Sequence, residues 1–207
     1  MSHICITLKH HILFILTAIL MLWSVNAFSE TPTLTQLEKW SRDAELGKAY
    51  AQHNIGLMYY KGDVVKQDYA ESVKWFMLAA EQGDADSEDN MGDAYYYGRG
   101  VRQDYAEAVK WYRLSAKGGY SIGRKNLGNA YFEGKGVRKN YAEAIKWYRL
   151  AAGQGVANAQ YRLGVIYSDG LGVKRDVATA RKWFSKACEN GDPLGCEQSR
   201  KMNSPGY

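Results

Sequence analysis

From residue 48 onward, apolar and small residues return to the same places every 36 residues, with polar residues filling the same gaps between them. Trp75, Trp111, Trp147 and Trp183 mark the period. Gly56, Gly92, Gly128 and Gly164 keep it, and so do Tyr59, Tyr95, Tyr131 and Tyr167. In the first half of a repeat, residues such as Met91, Gly92, Ala94 and Tyr95 fall at helical spacing, and the run stops at Gly98. The connection Gly98-Arg99-Gly100-Val101-Arg102-Gln103 is too rich in glycine to continue a helix, and Gly98 suits the positive φ of a helix stop. Asp104, three residues before Glu107, then opens a second helix as a capping box. Asp68/Glu71 and Asn140/Glu143 repeat the box, and Asp176 with Thr179 keeps half of it. The second helices stop at Gly83, Gly119, Gly155 and Gly191. A period of this length with glycine stops predicts an all-α, superhelical α/α solenoid of four helix-turn-helix repeats, residues 48–83, 84–119, 120–155 and 156–191.

Both ends of the array read as half-repeat caps. Thr35 to Leu46, ending at Gly47, has the character of a lone second helix, with Trp40 in the column of Phe76. From Asp192 to Met202 the chain resembles a first helix whose core positions have turned polar: Ser199, Arg200 and Asn203 stand where earlier repeats have Leu, Gly and Tyr. A polar outer surface keeps a terminal repeat soluble. The caps are therefore residues 33–47 and 192–207. Within the repeats, small residues (Gly56, Ala70, Ala79-Ala80 and their equivalents) let helices approach. The tryptophans and the aromatics that follow them, Phe76, Tyr112, Tyr148 and Phe184, are expected to fill the core.

The N-terminus changes the picture. Lys9 precedes an apolar run from Ile12 to Val25, and Val25-Asn26-Ala27 supplies the small residues a signal peptidase needs. The run is short of the roughly 20 residues that span a bilayer. The expectation is a cleaved signal peptide, residues 1–27, and an exported mature chain, periplasmic or secreted, that does not span the membrane. Charge adds little. The chain has 27 Lys and Arg against 22 Asp and Glu, too even a balance to argue for nucleic acid.

With these motifs in place, the repeats resemble the bacterial Sel-one-like repeat family, relatives of the tetratricopeptide repeat. The likeness is carried by Gly98 through Tyr112 and by Gly134 through Tyr148, and it covers the mature chain. Val64, in place of the second loop glycine of the first repeat, departs from it. The stretch Lys186 to Cys196 resembles the secreted, cysteine-rich branch of the family, which implies a disulfide between Cys188 and Cys196 tying a second helix to the next first helix. Export to an oxidising compartment and the short glycine turn between the two cysteines agree with that pairing. The resemblance further implies an adaptor or scaffold, monomeric, that binds a protein or peptide in the cell envelope or at a host contact. Two alternatives follow from it: a periplasmic immunity protein against a phospholipase effector, and a weak β-lactam-binding or β-lactam-hydrolysing envelope protein.

The residues themselves offer little chemistry. Beyond residue 27 the chain has one histidine, His53, so no histidine metal cluster is available. Asp84-Ala85-Asp86-Ser87-Glu88-Asp89 lacks the glycine and the closing Glu of a calcium loop, and suits a helix N-terminus instead. There is no Ser-x-x-Lys and no Lys-Thr-Gly, so a serine β-lactamase lacks its nucleophile motif. Catalytic residues, metal and cofactor are therefore not expected.

Comparing the repeats with one another locates the variable surface. The columns containing His53, Asp89, Lys125 and Tyr161, and Leu57, Asp93 and Asn129, differ from repeat to repeat along one stripe of the first helix. The first of these columns reads as exposed. Tyr97 lies on the same variable stripe, and beside it run Asn54, Asn90, Asn126 and Arg162 and the aromatics Tyr60, Tyr96 and Phe132. These fifteen residues are the expected protein-binding groove, asparagines offering donors and acceptors to a peptide backbone and aromatics offering rigid contact area.

Overall fold

The structure is a computed structural model and describes residues 34–204. The expected signal peptide, residues 1–27, lies outside them. Ten α-helices are described: α1 (Leu34–Glu45), α2 (Ala49–Lys61), α3 (Tyr69–Ala80), α4 (Ala85–Tyr97), α5 (Tyr105–Lys117), α6 (Ser121–Glu133), α7 (Tyr141–Gly153), α8 (Ala157–Asp169), α9 (Val177–Glu189) and α10 (Pro193–Asn203). The fold is an all-α helical solenoid. It comprises two compact units, divided after Gln103. In the first, α1 packs on α2, α2 on α3 and α3 on α4. In the second, each helix from α5 to α10 packs on its successor.

The helix stops follow the glycine pattern. Gly62, Gly98, Gly134 and Gly170 close the first helices in the left-handed conformation. The second loop glycine has a different task. A Cβ on Gly100 would lie 2.2 Å from the Tyr69 carbonyl oxygen, and one on Gly136 2.0 Å from that of Tyr105. Each loop therefore lies directly on the start of the preceding second helix. Val64 occupies this place in the first repeat, and there the loop packs instead against the cluster of Leu37, Met58 and Trp40.

The N-caps differ from the expected box. Asp68, Asp104, Asn140 and Asp176 accept from the backbone amide three residues on, as the motif requires. The amides of Asp68, Asn140 and Asp176, however, donate to the carbonyls of Tyr59, Tyr131 and Tyr167 on the preceding helix. Glu71 and Glu107 pair with Lys74 and Lys110 at 2.7 and 2.6 Å. Glu143 accepts from the Trp147 Nε1–H at 3.2 Å. The cap thus ties one helix to the next.

At the crossings of α2 with α3, α6 with α7 and α8 with α9, a glycine faces an aromatic ring. A Cβ on Gly56 would meet Phe76 Cδ1 at 2.6 Å, on Gly128 Tyr148 Cδ1 at 2.7 Å, and on Gly164 Phe184 Cε1 at 2.5 Å. Tryptophan burial is less uniform than expected. Trp75 is 1% exposed, enclosed by Ala44 of α1, Ala51 and Ile55, whereas Trp111, Trp147 and Trp183 are half-buried. Trp183 packs inward on the Ala144–Ile166 cluster while Lys186 lies over its other face, 5.2 Å from the ring centre. At the C-terminal cap, Ser199 is hydrogen-bonded to Ser185, yet Met202 is buried against Ala180 and Phe184 and keeps this end apolar inside. Cys188 of α9 and Cys196 of α10 are joined as a disulfide, with Cα atoms 4.4 Å apart.

A polar ladder links successive repeats. Side chains of Gln52, Arg124 and Gln160 donate to the carbonyls of Ala44, Ala116 and Ala152, eight residues before each, at 3.5, 3.2 and 3.0 Å. Gln52 and Gln160 also accept from Gln82 and Asn190, and Arg124 donates to Gln154. The same column holds Glu88, buried at 7% exposure, a carboxylate where the others present donors. Burial, then the neighbouring Asp84 charge, pushes the Glu88 carboxyl above its usual range.

Two predictions follow from this packing. Gly128→Ala should cost about 1–3 kcal/mol by overpacking against Tyr148, whereas Gly153→Ala, with nothing near its Cβ, should gain about 0.5–1 kcal/mol of helix propensity. Urea denaturation of both variants checks this. Glu88→Gln should gain about 1 kcal/mol at pH 7 by restoring a neutral donor. Because the raised folded-state value favours the protonated carboxyl, wild type recovers stability as pH falls, and the gap should narrow from pH 7 to 4.5 in the same assay.

Candidate protein-binding surface on the first helices

In the first unit, α2 positions His53, Asn54, Leu57 and Tyr60, and α4 positions Asp89, Asn90, Asp93, Tyr96 and Tyr97. The column expected to be exposed is not so here: Asp89 is 6% exposed and His53 only partly accessible. His53 Nδ1 shares a hydrogen bond with Ser87 Oγ at 2.8 Å and lies 3.4 Å from Asp84 Oδ1, its ring tilted against Phe76. The trio has the composition of a nucleophilic triad but not its geometry. Both partners meet the same ring nitrogen and Ser87 is fully buried, whereas a relay needs serine and aspartate on different nitrogens. It is a latch between α2 and α4. Burial alone would raise the Asp84 carboxyl, but hydrogen bonds from His53 and Ser87 overcome it and hold the group at about 2.

Asn54 and Asn90 each donate an amide N–H to the backbone carbonyl four residues earlier, at 2.7 and 3.0 Å. An asparagine has two N–H groups and an acceptor oxygen, so one such bond does not exhaust it. Leu57 and Asn54 line a small cleft with Trp40, Met58, Lys61 and Val64, about 110 Å³ in volume. Sequence reasoning did not connect Trp40 of the cap with these residues. Tyr97 is 54% exposed, the most open aromatic of the stripe, with Tyr96 edge-on beside it. Between Tyr60, Tyr69 and Tyr97 sits Arg99, which sequence reasoning treated only as a loop residue. Its guanidinium donates to the Tyr60 hydroxyl and lies 4.8–5.9 Å from the three ring centres. The signal available was a base at one loop position of the two middle repeats, Arg99 and Lys135, between Asp63 and Leu171.

In the second unit, α6 carries Lys125, Asn126, Asn129 and Phe132, and α8 carries Tyr161 and Arg162. Asn129 is engaged inward, its Oδ1 accepting from the Tyr148 hydroxyl at 2.7 Å. Burial pushes the Tyr148 phenol well above its usual range. Phe132 lies edge-on to Tyr141 at 5.5 Å, and the Arg162 guanidinium lies 5.5 Å above its ring. The Arg162 Nε–H is buried and has no hydrogen-bond partner. Tyr161 rests against Phe184. The stripe here is cationic and aromatic, while α4 in the first unit holds four acids and no base. Among the described residues, no group of three or more His, Cys, Asp or Glu side chains is placed to hold a metal ion.

Comparison with known proteins fits this architecture. The Sel1 repeat profile matches residues 49–84, 85–120, 123–156 and 157–192. The chain belongs to the Sel1 repeat family. Among solved structures it is similar to c5321, a protective antigen of uropathogenic Escherichia coli with an SLR fold. The identity is 38% and the TM-score 0.79, over 96% of this chain and 43% of that one. The chain thus spans less than half the length of that relative. It is also similar to a Sel1 repeat protein from Oxalobacter formigenes, with 38% identity and a TM-score of 0.75 over 83% of this chain and 69% of that one. The immunity protein Pa5087 from Pseudomonas aeruginosa shares the fold at 19% identity and a TM-score of 0.55, over 91% of this chain and 68% of that one. No curated protein matches the chain.

The His53 latch gives a prediction. Asp84, held below its ordinary value of 3.8, contributes stability that is complete above pH 4 and is lost as pH falls through about 2. The carboxyl is partly exposed, so the contribution should be about 1 kcal/mol. Asp84→Asn should flatten the acid limb of the stability profile between pH 4 and 2, read by circular dichroism.

Proposed function

We propose that this Sel1 repeat protein is an exported adaptor that binds a protein or peptide segment along its first helices. What supports the reading best is Arg162, a cation stacked on Phe132 whose buried Nε–H has no acceptor. The Nε–H itself is enclosed; a partner's carboxylate would pair with the remaining donors of the guanidinium. The surrounding residues suit a polypeptide. Asparagines recur along the stripe, and the exposed Tyr97 and the guanidinium of Arg162 are the aromatic and cationic types that anchor interfaces. No helix of the described residues is long and apolar enough to cross a membrane, and the disulfide agrees with an oxidising compartment. Binding at the first helices leaves the second helices to hold the fold.

Photoreactive residues at positions 57, 93 and 129, introduced in cells, should capture one protein. Arg162→Ala should weaken that capture about tenfold or more, as expected for loss of a charge-assisted hydrogen bond of roughly 1.5–3 kcal/mol. Capture unchanged by Arg162→Ala and by a Tyr97→Lys, Lys125→Glu double variant would dismiss this surface. Protection of cells from a co-produced phospholipase effector would assign the immunity role instead.

A further inference from the structure

The outer surface of the second unit has a composition that peptide binding by the first helices does not use. Its second helices α5, α7 and α9 hold eight lysines and arginines against three glutamates, and six of the eight remain once Arg113 and Arg149, bonded to Tyr131 and Tyr167, are set aside. The glutamates are not evenly placed. Lys74, Lys110 and Lys146 each follow a glutamate by three residues and lie 2.7, 2.6 and 3.6 Å from it. On α9, Thr179 stands where those glutamates stand, so Lys182 has no acid at that position, and Arg181 and Lys186 are added beside it. The acid is therefore lost from this position on α9, while the helix keeps three bases against Glu189.

Apolar groups share the same surface. Leu114 and Leu150, at one position of successive repeats, are 45% and 43% exposed. The next repeat puts Lys186 at that position. Trp147 and Trp183 are half-buried with Lys146 and Lys186 lying 5.3 and 5.2 Å from their ring centres. Trp183 and its basic neighbours line an open depression on α9. Leucines, amphipathic tryptophans and long cationic side chains together are what a helix lying flat in a lipid interface presents.

We infer that the α5–α7–α9 face docks on an anionic lipid surface. Lipid fits better than a soluble polyanion because exposed leucines and tryptophan edges gain only where acyl chains or the headgroup boundary can receive them. Near such a surface each lysine or arginine adds about 1 kcal/mol, or about fivefold in affinity. Docking through this face would leave the first-helix stripe open to a polypeptide partner.

The test is sedimentation of the full chain with vesicles of phosphatidylcholine alone or with 30% phosphatidylglycerol. The readout is the ratio of the two affinities, to which the N-terminal apolar run contributes equally in every variant. The expected ratio exceeds about tenfold at low salt and collapses at high salt, where charges are screened. Lys182→Ala should lower it about fivefold, and the triple variant Arg181→Ala, Lys182→Ala, Lys186→Ala should bring it close to one. Lys66→Ala, in the exposed loop between α2 and α3, should leave it unchanged, and circular dichroism should show each variant folded. Leu114→Ser with Leu150→Ser should weaken vesicle binding while leaving binding to inorganic polyphosphate unaltered. Equal affinity for both vesicle types, or a triple variant as tight as wild type, overturns the inference. So does a leucine double variant that binds vesicles normally, which would mark the face as a polyanion site.

Discussion

The close approach of a glycine backbone to an aromatic ring sets the geometry of three helix pairs, α2–α3, α6–α7 and α8–α9. At Gly56/Phe76, Gly128/Tyr148 and Gly164/Phe184 a methyl group would sit at 2.5–2.7 Å from ring carbon, well inside contact distance. The ring takes the place of a side chain on the first helix and spaces the second helix from it. Because interiors are close-packed, adding one carbon there must move a helix. The alanines at 79, 151 and 187 are fully buried beside these crossings, and their small size belongs to the same constraint.

Successive pairs are joined by hydrogen bonds that a linear motif does not reveal. In the second unit, Arg113 and Arg149 donate to the hydroxyls of Tyr131 and Tyr167, eighteen residues ahead. Loop glycines rest on the start of the preceding second helix. In each case one repeat supplies a group the next one needs, which is why stacked arrays gain stability from neighbours more than from any one repeat.

The same economy governs where a partner can be received. Asn129 and His53 lie on the variable stripe, yet each has committed side-chain atoms to Tyr148 or to Ser87 and Asp84. Tyr97 and Arg162 differ: one is open to solvent, the other stacked on Phe132 with a donor unmatched. The Asp84–Asp93 stretch and the α9 cations give the two units opposite electrostatic characters. Each unit thus presents a surface chemistry of its own.

Element order, helix stops and the glycine–aromatic columns were legible in the sequence because they are local features repeated four times, so each copy corroborates the others. Half of the capping box was legible too; the other half was not, since the competing carbonyl of Tyr59, Tyr131 or Tyr167 comes from another helix. The tertiary structure alone decided that Trp75 is enclosed while Trp183 keeps an open face, because enclosure depends on what packs next: α1 covers Trp75, whereas a lysine lies over Trp183. It alone decided that Asp89 is buried and Tyr97 exposed, although both belong to one variable stripe. A period records which positions face the neighbouring helix, while burial is set by the particular neighbour that arrives there.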